Sequence, residues 1–112
     1  MTAIINLKEN KATVEQALAN LQSEIEIALK YKFTALKIIH GYGSHGTGGA
    51  IFLAVRKYLN KLLIKKQISD IIAGNQWALQ NEKTRKLLYL SPEWASDEDL
   101  NHSNPGITII VF

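Results

Sequence analysis

Residues 34–49, TALKIIHGYGSHGTGG, carry the strongest structural signal of the chain. The mainly apolar run at 34–39 predicts a buried strand. Five of the ten residues of His40–Gly49 are glycine. After them, apolar residues recur with helical spacing from Ala50 to Leu63. We therefore predict a strand, a glycine-rich loop and a helix in succession, the central unit of an α/β domain.

The sequence before this unit predicts a short strand and a long helix. The strand covers residues 3–7, and a turn follows at 10–12. Thr13 is a suitable helix N-cap, and Gln16 three residues later completes a capping box. The helix is expected to end near residues 30–32, where lysines suit the negative end of the helix dipole.

After the central helix, the sequence predicts two further strands separated by a long interruption. The strands are residues 68–73 and 106–112. Between them, residues 74–105 contain a predicted short helix at 81–90 and an irregular acidic stretch. We treat 74–105 as an insertion before the last strand of one domain, residues 1–112. The expected fold is an α/β (α+β sandwich) domain, with a four-stranded mixed sheet and two main helices in βαβαββ order.

The position of the charges says more than their total of +3. Residues 30–66 contain eight lysines and arginines and no Asp or Glu, so the rest of the chain carries a net charge of −5. This asymmetry favours an anionic partner. The alternative is that the lysines only solvate the ends of helices and strands.

Composition also limits the compartment and the chemistry. The chain has no cysteine, which excludes disulfides and thiolate metal sites. It shows no signal-peptide pattern and no apolar stretch long enough to cross a bilayer, so we expect a cytoplasmic protein without a membrane partner.

The glycine-rich loop predicts a phosphate-binding site. Glycines let the backbone approach a ligand closely, and the following helix offers unpaired N–H groups at its positive end. The loop lacks the Gly-Lys-Ser/Thr ending of a P-loop. Residues 41–46 fit Gly-x-Gly-x-x-Gly, but no acidic residue follows about 20 positions later, which argues against a dinucleotide site. A tight turn without a ligand remains the structural alternative.

Three segments of the sequence resemble the Smr (small MutS-related) domain family. HGYG at 40–43, with the later glycines and the helix after them, is similar to the family's His-Gly-x-Gly-Thr-Gly loop and its helix. INLK at 5–8, followed by TVEQA at 13–17, stands where the family has Leu-Asp-Leu-His/Arg and its first helix. PGITIIV at 105–111 resembles the last strand. The resemblance covers about 3–73 and 105–112.

This resemblance implies both a fold and a function. The fold would be like the C-terminal domain of translation initiation factor three. The function would be binding of DNA or RNA, with DNA- or RNA-nicking activity in some members. Asn6 and Lys8 replace the Asp and the His/Arg of the first motif, and Phe52 or Ile51 replaces the arginine of the second helix. Phosphate binding is therefore favoured, while a weak endonuclease and a protein-interaction module with an aromatic insertion stay as alternatives.

The residues expected to bind phosphate come from the loop, the first motif and the central helix. His40 is also the candidate catalytic residue, as a general acid or base, or it fixes the loop through a backbone hydrogen bond. Tyr42 could stack on a base or cover the edge of the core. The predicted set is Lys8, His40, Gly41, Tyr42, Gly43, Ser44, His45, Gly46, Thr47, Gly48, Gly49, Lys57 and Lys61.

No resident cofactor is predicted. The spacing of the histidines at 40, 45 and 102 fits no known metal-ligand pattern. The acidic run at 97–99 could bind a divalent ion, although such runs are usually solvated surface. Trp77, Trp94 and Tyr89 are expected to be packing residues of the insertion.

Overall fold

The computed structural model describes residues 2–42 and 47–112, without the side chains at 47 and 48. The strands are β1 (Ala3–Asn6), β2 (Ala35–Ile39), β3 (Asp70–Ala73) and β4 (Ile107–Val111). The helices are α1 (Val14–Lys30), α2 (Thr47–Ile64) and α3 (Glu82–Leu90). Short 3-10 helices cover Glu9–Lys11, Gly74–Gln76 and Pro92–Ser96. The predicted α/β class and element order are confirmed.

The four strands form one mixed sheet in the order β1-β2-β4-β3. β1 is parallel to β2, and β4 is antiparallel to both β2 and β3. The carboxyl ends of β1, β2 and β3 therefore lie beside the start of β4 at one end of the strands, which we call the loop edge. The opposite end of the strands, where β2 and β3 begin, is called the far edge.

Helix α1 begins where its capping residues predict. The Thr13 hydroxyl accepts a hydrogen bond from the Gln16 N–H (3.1 Å), and the Gln16 side chain accepts one from the Thr13 N–H (2.9 Å). Two N–H groups that would otherwise lack partners are thus satisfied. The helix buries Ala17, Leu21 and Ile25 against the sheet.

The sheet is covered on both faces. Leu36, Ile38 and Ile110 pack beneath α1 and α2, while Ala35 and Ile109 pack on the opposite face beneath the 74–105 segment. Alternation along a strand sends neighbouring side chains to opposite faces, so apolar residues at successive positions of β2 and β4 fit a sheet buried on both sides.

Two tryptophans of the 74–105 segment build the second core. Trp77 and Trp94 are buried, and their rings pack edge to face with centroids 6.2 Å apart. Their predicted packing role is confirmed. The same prediction is wrong for Tyr89, which is 86% exposed because it lies on the outward face of α3, away from the buried Leu87.

Lys37 contradicts the expectation that the acidic run at 97–99 is solvated. Its side chain is buried, and its Nζ lies 2.9 Å from an Asp97 oxygen and 2.6 Å from an Asp99 oxygen. Burial works to lower the pKa of Lys37, but the hydrogen bonds and charges of Asp99 and Asp97 outweigh it and raise that pKa. Asp97 also accepts a hydrogen bond from the Trp77 indole N–H (2.9 Å). The 74–105 segment thus neutralises one cation of residues 30–66, which we call the basic region.

Within residues 2–42 and 47–112, no helix combines the length and apolar character that crossing a bilayer requires.

Candidate nucleic-acid interface

Backbone hydrogen bonds fasten three segments together at the loop edge. The N–H groups of His40 and Gly41 both donate to the Gly106 carbonyl, at 3.0 and 3.1 Å. The Leu7 N–H donates to the Ile39 carbonyl at 2.8 Å, just beyond β1. The segment after β1, the start of the glycine-rich loop and the segment before β4 are therefore held in a fixed arrangement.

His40 is buried, and both of its ring nitrogens have partners. Nδ1 lies 2.6 Å from the Gly41 carbonyl oxygen, and Nε2 lies 2.8 Å from the Thr108 hydroxyl. A carbonyl can only accept, so Nδ1 carries a proton, and in the neutral imidazole Nε2 accepts from the Thr108 hydroxyl. Burial lowers the pKa of His40, and the positive charge of Arg56 adds to this, while the hydrogen bond to the Gly41 carbonyl works to raise it. The net lowering of the pKa favours the neutral imidazole, which joins the loop to β4 through these two hydrogen bonds.

Lys8 lies directly over Gly41. Gly41 has a φ of +71°, and a β-carbon built there would lie 2.6 Å from Lys8 Cδ and 3.1 Å from Lys8 Nζ. The positive φ favours glycine at this position, and the lysine side chain fills the space in which a β-carbon would otherwise lie. The structure thus brings the cation of the first motif against the start of the glycine-rich loop.

An aromatic cluster includes His40 and Tyr42, the residues on either side of Gly41 in the chain. The Phe52 ring packs against His40, with ring centroids 5.0 Å apart, and against Tyr42, with centroids 5.7 Å apart. Tyr42 is 61% exposed, so a ring face at this edge is open to a ligand. The Arg56 guanidinium lies 5.7 Å from the centre of the Phe52 ring, within cation–π range.

Arg56 is a candidate site residue that sequence reasoning missed. From the sequence it was only one of the eight cations of residues 30–66. Its spacing from Phe52 is the signal that could have found it, because residues four apart on a helix share a face. Arg56 therefore presents a guanidinium one turn beyond Phe52, which with Ile51 is one of the two positions that the resemblance gives to the family's arginine.

A cleft of about 190 Å³ opens beside this cluster, between α2 and the edge strand β3. We call it the α2–β3 cleft. His40, Val55, Leu59 and Thr108 contribute to its lining. The lining also includes the side chains of Phe52, Arg56, Asn60, Leu63, Gln76 and Lys83.

Lys57 and Lys61 are exposed on α2 but lie away from the loop. At about 1.5 Å per residue, they stand about 12 and 18 Å along the helix axis from Gly49. The lysines at 30, 32, 65 and 66 flank the ends of α1 and α2, so the topology places them at the far edge. The basic region is thus spread over the length of the domain.

The remaining predicted site residues are described in part. Gly43, Ser44, His45 and Gly46 lie outside the described residues. The first turn of α2 contains the backbone of Thr47, Gly48 and Gly49, so the helix starts three residues earlier than the predicted apolar pattern. Within the part of the chain that the structure describes, no three His, Asp or Glu residues are grouped to hold a metal ion.

The fold and this edge define an α/β domain in which a glycine-rich loop leads into a helix beside a cationic and aromatic surface. The Smr domain family model matches residues 6–89, more than half of the chain. The chain belongs to the Smr domain family. The match includes residues 74–89, the first half of the segment that was predicted to be an insertion.

A solved structure supports the fold independently. The Smr domain of Thermus thermophilus MutS2 matches with a TM-score of 0.60 at 17% sequence identity, covering 98% of this chain and 96% of that one. No curated protein sequence matches the chain. The likeness to the C-terminal domain of translation initiation factor three stays a prediction.

Proposed function

We propose that this domain binds nucleic acid at the loop edge, mainly through backbone phosphates. The observation that carries the proposal is the position of Lys8 across Gly41, which joins a cation to the glycine-rich loop. Membership of the Smr family agrees with this function. The ligand is DNA or RNA.

The electrostatics of the loop edge favour a phosphate. The first N–H groups of α2 have no acceptor within the helix, and they form the positive end of its dipole. Lys8 and Arg56 add full positive charges nearby. A phosphate held there would therefore meet both hydrogen-bond donors and cations, the combination that binds anions at helix N-termini.

Lys57 and Lys61 extend the proposed contact along α2. The 18 Å from Gly49 to Lys61 corresponds to about five steps of 3.4 Å along one nucleic-acid strand. Cations at these positions would hold the backbone of a strand whose phosphate binds at the loop. Their side chains are long and flexible, so they contribute attraction more than a fixed pose.

The experiment is fluorescence anisotropy with labelled duplex and single-stranded oligonucleotides across a range of salt concentrations. Affinity should fall with salt, with a log–log slope of about −0.9 for each phosphate neutralised on a duplex. Lys8→Gln should weaken binding, whereas the matched charge change Lys65→Gln, at the far edge, should have less effect. An affinity independent of salt, or a larger effect at Lys65, would contradict the proposal.

We expect binding without strong cleavage. His40 has both ring nitrogens engaged by Gly41 and Thr108, so its use as a general base would require breaking the Thr108 hydrogen bond. Neither Phe52 nor Ile51, the two positions that the resemblance gives to the family's arginine, can supply its charge. Incubation of supercoiled plasmid and of RNA with pure protein tests this. Rapid nicking that His40→Gln abolishes in a folded variant would support the endonuclease alternative instead.

A further inference from the structure

We propose that the α2–β3 cleft receives one unstacked nucleobase, so that this domain selects single-stranded over duplex nucleic acid. This inference rests on the proposed function and names its substrate class. The cleft adjoins the loop edge through His40 and Phe52, which line it and also belong to the phosphate-binding region. One nucleotide could therefore place its phosphate at the loop edge and its base in the cleft.

The walls of the cleft suit a flat aromatic ligand. Phe52 supplies an aromatic ring at the end nearest the loop, and Leu63 with Ile71 provides apolar surface further along. The Phe52 ring is held in place by His40 on one side and Tyr42 on another. A ring fixed in this way loses little conformational freedom when a base stacks on it.

Polar groups in the cleft match the edges of a base. Gln76 uses its carbonyl oxygen to accept from the Ala73 N–H (3.0 Å), which leaves its amide NH2 to donate elsewhere. Asn60 is exposed on α2 and adds an amide that can both donate and accept. Bases carry donors and acceptors on their edges, so amide side chains can pair with them.

Charge complements the same ligand. Arg56 lines the cleft beside Phe52, so its guanidinium can face the phosphate of a nucleotide whose base stacks on the Phe52 ring. Lys83 stands at another part of the lining, where it donates a hydrogen bond to the Ile71 carbonyl (3.2 Å) and pairs with Asp70 (3.2 Å), which also lines the cleft, so that this pair adds no net charge. An anionic ligand with an aromatic ring agrees with the positive charge of Arg56 and with the apolar walls.

The size of the cleft limits the ligand to a single base. Its volume of about 190 Å³ lies below the usual range for drug-sized ligands. It is comparable to an apolar cavity of about 150 Å³ that admits benzene. A base can enter such a space only after leaving its stack, and this costs least in a single strand. Single-stranded DNA or RNA is therefore the expected substrate class.

The decisive test compares strands that differ only in their bases. We expect a labelled oligothymidylate to bind about tenfold more tightly than an abasic strand of the same length and charge, as one stacked base contributes. The corresponding duplex should also bind more weakly than the oligothymidylate, and an oligouridylate identifies whether RNA is accepted equally. Equal affinity for the oligothymidylate and the abasic strand would overturn the cleft proposal and leave phosphate binding intact. Absence of binding to every strand would overturn both.

Variants locate the effect in the cleft. Phe52→Leu removes the ring without changing charge and should bring the affinities for thymidylate and abasic strands to within about twofold. Leu53→Ala, at the exposed neighbouring position outside the cleft, is the matched control and should keep the tenfold difference. Asn60→Leu changes an exposed cleft residue that the fold does not depend on, and it should also reduce the difference. A preference for thymidylate that survives both Phe52→Leu and Asn60→Leu would overturn the assignment of the base to this cleft.

Discussion

Replacing Lys37 by methionine should destabilise the domain strongly. Methionine keeps much of the length of the side chain but removes the charge that two carboxylates share. Asp97 and Asp99 have side chains only 3% and 17% exposed, so water cannot replace the lost cation at Asp97 and can do so only in part at Asp99. The substitution therefore leaves the negative charge of these buried carboxylates without the lysine cation that balances it.

The size of the effect follows from this burial. Removing one partner of a buried ion pair costs about 3–5 kcal/mol. Because Asp99 retains some contact with water, we expect a value near the lower end, about 3 kcal/mol. A chain of this length has a free energy of unfolding of about 6–17 kcal/mol, so the variant should fold but lose a large part of its stability.

Urea denaturation of Lys37→Met and of wild type, at neutral pH and in an acid series, measures this change. The exposed substitution Lys57→Met is the control and should alter the free energy of unfolding by less than about 0.5 kcal/mol. In wild type, burial works to raise the pKa of Asp99, but hydrogen bonds from Lys37 and Asn104 outweigh it and lower that pKa. The contribution of Asp99 to the free energy of unfolding is therefore present above the pKa of this carboxyl in the unfolded chain and is lost as pH falls through its pKa in the folded protein.

The acid series distinguishes the ion pair from simple packing. In the variant, burial acts on Asp99 without the opposing lysine, so this carboxyl should accept a proton at a higher pH than in wild type. The stability difference between wild type and Lys37→Met should therefore narrow as the solution is acidified. A difference below about 1 kcal/mol at neutral pH, or one that stays constant into acid, would refute this reasoning.

Three further predictions concern the fold and the loop edge. Gly74→Ala should unfold the domain or lower its melting temperature sharply, because the added β-carbon would lie 1.7 Å from the Asn104 carbonyl oxygen; a melting curve like that of wild type would contradict this. Thr13→Ala should reduce the free energy of unfolding by about 1 kcal/mol through loss of the helix cap, as measured by urea denaturation, whereas no change would mean that the cap contributes nothing. Because the pKa of buried His40 is lowered, the contribution of its neutral form to the free energy of unfolding is present above the unfolded pKa of 6.5 and should be lost as pH falls toward the folded pKa. A free energy of unfolding that rises as pH falls over this range would show that the assigned neutral state is incorrect.

The sequence predicted those parts of the fold that local patterns encode. The capping box at Thr13 and Gln16 defines the start of α1 through residues three positions apart. The apolar run at 34–39 and the helical pattern after the glycines similarly identify β2 and α2. Each signal depends on neighbours in the chain, so it can be recognised without the tertiary structure.

The parts that sequence reasoning missed depend on contacts between distant segments. Lys37 and Asp97 lie 60 positions apart, and nothing near either residue marks the pairing. The ring of Phe52 lies between His40 and Tyr42 only because the chain folds back after the loop. Tyr89 was expected to be a packing residue of the insertion, whereas its position on α3 exposes it.

The distribution of cations also sets a limit on how steeply nucleic-acid binding can depend on salt. Lys37 is already paired inside the protein, and the lysines at 30, 32, 65 and 66 lie at the far edge. Among the cations of residues 2–42 and 47–112, a strand bound at the loop edge and along α2 is therefore expected to be neutralised mainly by Lys8, Arg56, Lys57 and Lys61. Four neutralised phosphates give a log–log slope of about −2.8 on a single strand and about −3.6 on duplex DNA, whereas eight would give about −5.6 on a single strand. A slope steeper than about −5 on a single strand would show that the far-edge lysines take part and that the ligand covers a different face of the domain.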